Sequence, residues 1–196
     1  MKNRLFLGFA VAMMVLATSC GKMPQEKIDA TKAAVEAAKT AQADVYMSVE
    51  FTALQDSLAA VMQAVDAENA KSFKKFDAIT GKLDALTAQA TEMAAAVPAK
   101  KEAVKAEAES SLATAKAGIE ATNAVLAKAA KNKAAKAVVE EVTPEMTTIT
   151  TTVTEVEASM AGDVNFAQVL EQLNAANQAL ANINAKLTEA TTPAAK

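Results

Sequence analysis

Between four widely spaced prolines, apolar residues recur along nearly the whole chain at alternating steps of three and four. That spacing puts them on one stripe of a helix, whereas a half-buried strand would alternate at two. The prolines Pro24, Pro98, Pro144 and Pro193 fall at or near the ends of the periodic segments. About a quarter of the residues are alanine, and five glycines with four prolines are too few for a loop-rich or all-β fold. Alanine favours helix but buries little surface, so the sparse larger side chains must mark the seams. The pattern predicts an all-α chain folded as an antiparallel helical bundle.

Six helices are expected. The first, about 24–45, carries Ile28, Val35, Ala38 and Val45 on its seam. The second, about 49–66, carries Phe51, Leu54, Leu58, Val61 and Val65, and the third, about 70–97, carries Phe76, Ile79, Leu83, Leu86, Ala90, Met93 and Val97. A fourth, about 99–140, follows with Leu112, Ala115, Ile119, Thr122 and Leu126. The fifth, about 144–161, shows Met146, Ile149, Val153, Val156 and Met160, which is the second seam moved by 95 positions. The sixth, about 165–190, shows Phe166, Val169, Leu173, Ala176, Leu180, Ile183 and Leu187, the third seam moved by 90. Two tandem three-helix units, 24–97 and 98–190, are therefore expected, followed by a flexible tail at 191–196.

The join between the units is read as a helix that continues through Pro98 with a kink. Residues 90–105 hold no glycine, Asn or Asp, and Val97 and Val104 keep the seam in phase. Elsewhere, Ser48 is the expected cap of the second helix, and Thr143-Pro144-Glu145 reads as a strong start for the fifth. Gly162-Asp163 closes the fifth, and Asp163 or Asn165 caps the sixth. One stretch opposes the assignment. Six threonines between 147 and 154 favour a strand and cost a helix roughly 3 kcal/mol against alanine. A lone strand would have no partner, so helix is retained.

Residues 1–19 read as a secretory signal, with Lys2 and Arg4 ahead of a short apolar core from Leu5 to Leu16. Ala17-Thr18-Ser19-Cys20 then resembles the lipobox of bacterial lipoproteins, and Cys20 is the sole cysteine. The resemblance implies acylation of Cys20, a multi-chain lipid anchor and, with Gly21 rather than an acid next, sorting to the outer membrane facing the periplasm. Residues 20–23 would form the anchor and its tether, at most about 14 Å long.

Ala33, Ala37 and Ala41, followed by Tyr46, Glu50, Phe51, Leu54 and Leu58, resemble a family of alanine-rich three-helix envelope domains found in lipoproteins. That family often has proline before the glutamate; Val49 stands there in the first unit, and Pro144-Glu145 restores the pattern in the second. The resemblance implies the three-helix architecture and brings no activity with it.

Chemistry is thinly represented. Without histidine or tryptophan, the chain lacks the usual neutral-pH base, imidazole metal ligands and Ser-His or Cys-His pairs. No cofactor and no metal site are expected, and a net charge of −3 gives no support for nucleic-acid binding. The methionines outside the signal fall mostly on or beside seams, where they fill gaps in a core. Residues 99–136 hold eight lysines and four glutamates, a net of +4, with Lys128, Lys131, Lys133 and Lys136 clustered; residues 137–196 hold eight acids and two lysines, a net of −6. Pairing of the fourth helix with the fifth and sixth accounts for this more simply than a patch for anionic lipid or peptidoglycan. Finally, an acylated cysteine, alanine-rich heptads and a terminal Lys196 are similar to the murein lipoprotein family, which implies peptidoglycan attachment through Lys196. The expected protein is a non-catalytic, lipid-anchored envelope spacer or protein-interaction module. Its partners would be the membrane and, as candidates, peptidoglycan or envelope proteins; the alternative is a carrier of lipid or another apolar ligand.

Overall fold

A computed structural model describes residues 22–162 and 164–192. The fold is an all-α bundle of helices packed against one another, with no strand among the described residues. In order these are α1 (Gln25–Thr40), a single turn α2 (Ala43–Tyr46), α3 (Ser48–Asn69), α4 (Asp77–Ala129), α5 (Lys136–Ser159) and α6 (Phe166–Thr191), with a 3-10 turn at Lys133–Ala135 before α5.

The organising element is α4. It runs without a break for 53 residues, about 80 Å at 1.5 Å per residue. The expected third and fourth helices are thus one helix through Pro98. Pro98 is exposed, while Val97 beside it is buried. The missing N–H leaves the Ala94 carbonyl without its helical donor on a face that water reaches, and the seam is untouched. Interior proline costs a helix about 3 kcal/mol against alanine, and its rigidity returns about 1 by restricting the unfolded chain. Pro98→Ala is therefore expected to stabilise the fold by about 2 kcal/mol in urea unfolding followed by circular dichroism. A lower midpoint would mean that the proline is needed to aim the two halves of α4.

Directions follow from the contacts. Lys27 of α1 pairs with Asp84, and Thr31 Oγ1 meets the Leu83 carbonyl at 3.2 Å and Thr87 Oγ1 at 2.9 Å, so α1 lies parallel to the first half of α4. In the second half, Ser111 Oγ donates to Asn174 Oδ1 at 3.0 Å and Asn184 Nδ2 donates to Thr122 Oγ1 at 2.7 Å, so α6 lies parallel too. α3 and α5 are the antiparallel returns, joined by short turns to their neighbours. Each half of the rod is up, down, up. The two halves stack end to end along α4, with Gln25 and Thr191 about 70 Å apart along the axis.

The repeat extends further than the two pairs of seams seen in sequence. Ile28, Thr31, Val35 and Ala38 of α1 correspond, 91 positions on, to Ile119, Thr122, Leu126 and Ala129 of α4. Thr31 and Thr122 are the two fully buried polar side chains among the described residues, and each bonds across to its parallel partner. A hydroxyl at an otherwise apolar seam position favours the one register that satisfies it.

The core gathers in two clusters. One contains Phe51, Leu54, Leu83 and Met93; the other contains Met146, Val153, Leu173 and Leu187. All seven expected seam residues of the third and of the sixth helix are buried. The clusters meet where the turn after α1 approaches the turn before α6. Phe166 joins the first cluster, its N–H donating to Tyr46 Oη at 3.3 Å, while Met160 and Val164 pack against both. Lys105 Nζ lies 5.7 Å from the centre of the Phe166 ring.

Several helix boundaries differ from expectation. α1 stops at Thr40, because Gln42 adopts a left-handed conformation (φ 74°), a strain of roughly 1 kcal/mol that turns the chain and lets Ala43 and Tyr46 be buried. Ser48 is not a cap. It is the first residue of α3, and the preceding turn supplies the carbonyls, Met47 N–H bonding to Ala43 O and Phe51 N–H to Met47 O. The third helix begins at Asp77 rather than about 70, leaving a loop at 70–76. The fourth helix ends at Ala129 rather than about 140, and Thr143-Pro144-Glu145 does not start a helix: Asn132 caps the 3-10 turn by accepting from Ala134 N–H, and α5 then runs from Lys136 through an exposed Pro144. Buried Ala135 and Val142 extend the α5 seam backwards, so burial outweighs the proline.

Other local expectations hold. Asn165 caps α6, its Oδ1 accepting from Ala167 and Gln168 N–H, while Asp163 lies outside the described residues. The threonine run is helical. Thr147, Thr148, Thr150, Thr151 and Thr154 each donate to the carbonyl four residues back, which gives their hydroxyls partners without leaving the helix.

Candidate functional site

Cys20 and Lys196, the two site residues singled out in sequence, lie outside the described residues, as does the signal segment at 1–19. Function must therefore be sought on the faces and ends of the rod.

The long faces carry solvated charge. Lys116 Nζ on α4 reaches Glu157 on α5 at 2.8 Å, and Lys186 on α6 reaches Glu141 at 2.6 Å and Glu145 at 3.8 Å on α5. Both ends of these pairs remain about half exposed, so each stabilises the fold little. The Lys186 ammonium is held above its ordinary pKa, chiefly by its hydrogen bond to Glu141. Among the described residues, no group of three or more His, Cys, Asp or Glu side chains could hold a metal ion. No helix among them is long and apolar enough to cross a membrane.

A groove of about 280 Å³ lies between α4 and α5, lined by Asn123, Leu126, Met146 and the threonines 143, 147, 150 and 151. It is open to solvent and falls just below the usual volume range of small-molecule pockets.

The ends differ from each other. At the far end, in the α4–α5 turn, Lys128, Lys131, Lys133 and Lys136 are exposed, with Lys136 3.9 Å from Glu140. Of the expected pairing of the fourth helix with the fifth and sixth, the Lys116–Glu157 pair joins α4 to α5, and the lysines of this turn stay exposed. At the near end, beside the start of α1, the α3–α4 loop is built on Glu68. Its carboxylate accepts from Lys71 Nζ at 2.7 Å and from Lys75 N–H at 2.6 Å, while Lys74 Nζ donates to Asn69 Oδ1 at 2.8 Å. These bonds, the one from Lys71 first and the one from Lys75 second, hold the Glu68 carboxyl below its ordinary pKa. Phe73 projects from the loop 88% exposed. The sequence reading missed it by running the helix through the loop. The signal that could have found it was an aromatic side chain off the seam and flanked by lysines, Lys71-Ser72-Phe73-Lys74-Lys75. Comparison with family models, with curated proteins and with solved structures finds no match to this chain.

Proposed function

We propose that this chain is a lipid-anchored spacer of the bacterial cell envelope, held to the outer membrane through acylated Cys20 and acting by reach and surface contact rather than by catalysis. The observation that carries the proposal is the continuous 53-residue α4 shared by both core clusters, which makes a long stiff rod instead of a compact globule. A spacer needs length in one direction, and an end-to-end stack supplies it with few residues per ångström. The lipobox-like sequence before Cys20 puts the anchor at the α1 end. Metabolic labelling with a fatty acid, comparing the full chain with Cys20→Ala, tests the anchor; label retained by the variant sinks it.

A second reading is favoured by the rod's polarity. Because α6 ends about 70 Å from the start of α1, the segment leading to Lys196 leaves from the end away from the lipid. That is the geometry required for covalent attachment of Lys196 to peptidoglycan. Release of the protein from sacculi only after muramidase digestion, with a muropeptide remnant on Lys196, is the expected result; full extraction by detergent alone would exclude it.

A further inference from the structure

We infer that the α3–α4 loop, residues 71–75, is a membrane-contact loop that seats Phe73 in the interfacial layer of an anionic bilayer beside the lipid anchor. The inference rests on the anchored reading of Cys20 and adds a second, non-covalent contact.

Position comes first. α1 begins level with about residue 81 of α4, as the Lys27 pair with Asp84 and the Thr31 bond to Thr87 require. Four more residues of α4 run below that level, about 6 Å, before the loop is reached. The loop is therefore the lowest point of the rod at the end where Cys20 attaches. With a tether of at most about 14 Å, an acylated Cys20 holds the loop within reach of the headgroups.

Exposure comes second. Among the described residues, the exposed large apolar side chains are Phe73, Met23 (41%) and Val49 (79%), and two of these three, Phe73 and Met23, lie at this end. An aromatic ring held out in water by an ordered loop loses favourable burial unless something covers it.

Charge selects the cover. Glu68, at the start of the loop, has both oxygens committed to the loop itself, through Lys71 and the Lys75 N–H, and Asp77 at the start of α4 is the exposed acid on its other side. Lys74 bonds a neutral amide rather than a carboxylate. Phe73 and the exposed Lys75 thus share one short loop, a combination that suits acyl chains and headgroup phosphates together.

The chain has no tryptophan, so Phe73→Trp makes a sole indole, excited selectively beyond the absorption of Tyr46, and Val49→Trp at the start of α3, about 33 Å up the rod, makes its control. Both sites are exposed, so neither change disturbs the core. The detergent-extracted protein is reconstituted into phosphatidylethanolamine vesicles with and without phosphatidylglycerol, and its Cys20 peptide is weighed for acyl groups. The indole at position 73 is expected to be blue-shifted and quenched severalfold more by brominated acyl chains than the indole at position 49, most strongly with phosphatidylglycerol. Replacing Lys71, Lys74 and Lys75 by Gln should remove that lipid preference. If acylated, vesicle-bound protein leaves the loop fluorophore as unquenched as the control, the loop contact is wrong and the anchor stands. Quenching of the loop fluorophore on unacylated protein supports the loop and removes the anchor, whereas unacylated protein that leaves the vesicles overturns both. A blue shift already present in detergent, with cross-linking between copies, assigns Phe73 to a second chain and overturns the lipid contact.

Discussion

Cys20→Ala is expected to transfer the protein almost wholly from the membrane fraction to the soluble fraction. Each buried methylene of an acyl chain contributes about 0.8 kcal/mol, and two or more chains hold a protein stably where a single myristoyl chain does not. The loop at residues 71–75 cannot replace them. Burial of Phe73 is worth about 2 kcal/mol and Lys74 and Lys75 near an anionic surface about 1 each, Lys71 being paired with Glu68, a total no larger than a single short chain supplies. Binding at that level is reversible and salt-sensitive, so whatever remains on the membrane after Cys20→Ala should wash off at about 1 M salt, where charges are screened beyond roughly 3 Å. The small residues Ala17 and Ser19 keep the pattern for ordinary signal cleavage, so the variant need not stay attached through its signal. Fractionation followed by immunoblotting, with and without the salt wash, measures the outcome. A variant that resists high salt sinks the lipid-anchor proposal.

Long-range organisation was more legible in the sequence than local boundaries were. The third and sixth seams run seven positions each, and every one of those residues is buried. Continuity through Pro98 could be read because Val97 and Val104 stay in phase across it, and an exposed proline leaves an apolar stripe intact. Pro144 misled for the same physical reason. Its cap-like neighbours Thr143 and Glu145 suggested a start, yet Val142 and Ala135 bury the preceding turns, and tertiary burial outweighs a local cap. The α1 break was hidden because the left-handed residue is Gln42 rather than a glycine, and what holds it is Tyr46 reaching Phe166, 120 positions away. No local pattern reports such a contact. Of the candidate sites, Cys20 and Lys196 were read from motifs that lie outside the described residues. Phe73 carried a signal in its off-seam position among lysines, but a helix assigned through residues 70–76 hid it.

Leu83→Ala and Leu173→Ala should each lower the unfolding free energy by about 3 kcal/mol. The two leucines stand 90 positions apart at equivalent points of the repeat, both with no exposed surface. Truncation removes three carbons from a packed site and leaves a cavity, and measured costs for such changes run from about 2 to 5 kcal/mol. Here the middle of that range applies. Alanine-rich helices already pack closely, so little relaxation can fill the gap, but the neighbouring small side chains also mean fewer contacts are lost. For a chain of this length each substitution should lower the melting temperature by roughly 6–12 °C. The pair also tests how the rod unfolds. Because α4 belongs to both clusters and Phe166 crosses between them, the wild-type chain should melt in one transition, and the double variant should lose about 6 kcal/mol, the sum for distant sites. Two separate melting steps, with Leu83→Ala shifting only one of them, would show that the α4 continuity and the Phe166 contact are too weak to couple the halves. A cost below about 1 kcal/mol at either leucine would contradict its burial, since that is the effect of trimming an exposed side chain. Leu83→Met and Leu173→Met keep the volume and should cost less than about 1.5 kcal/mol, separating the cavity from any effect of changing the residue at all.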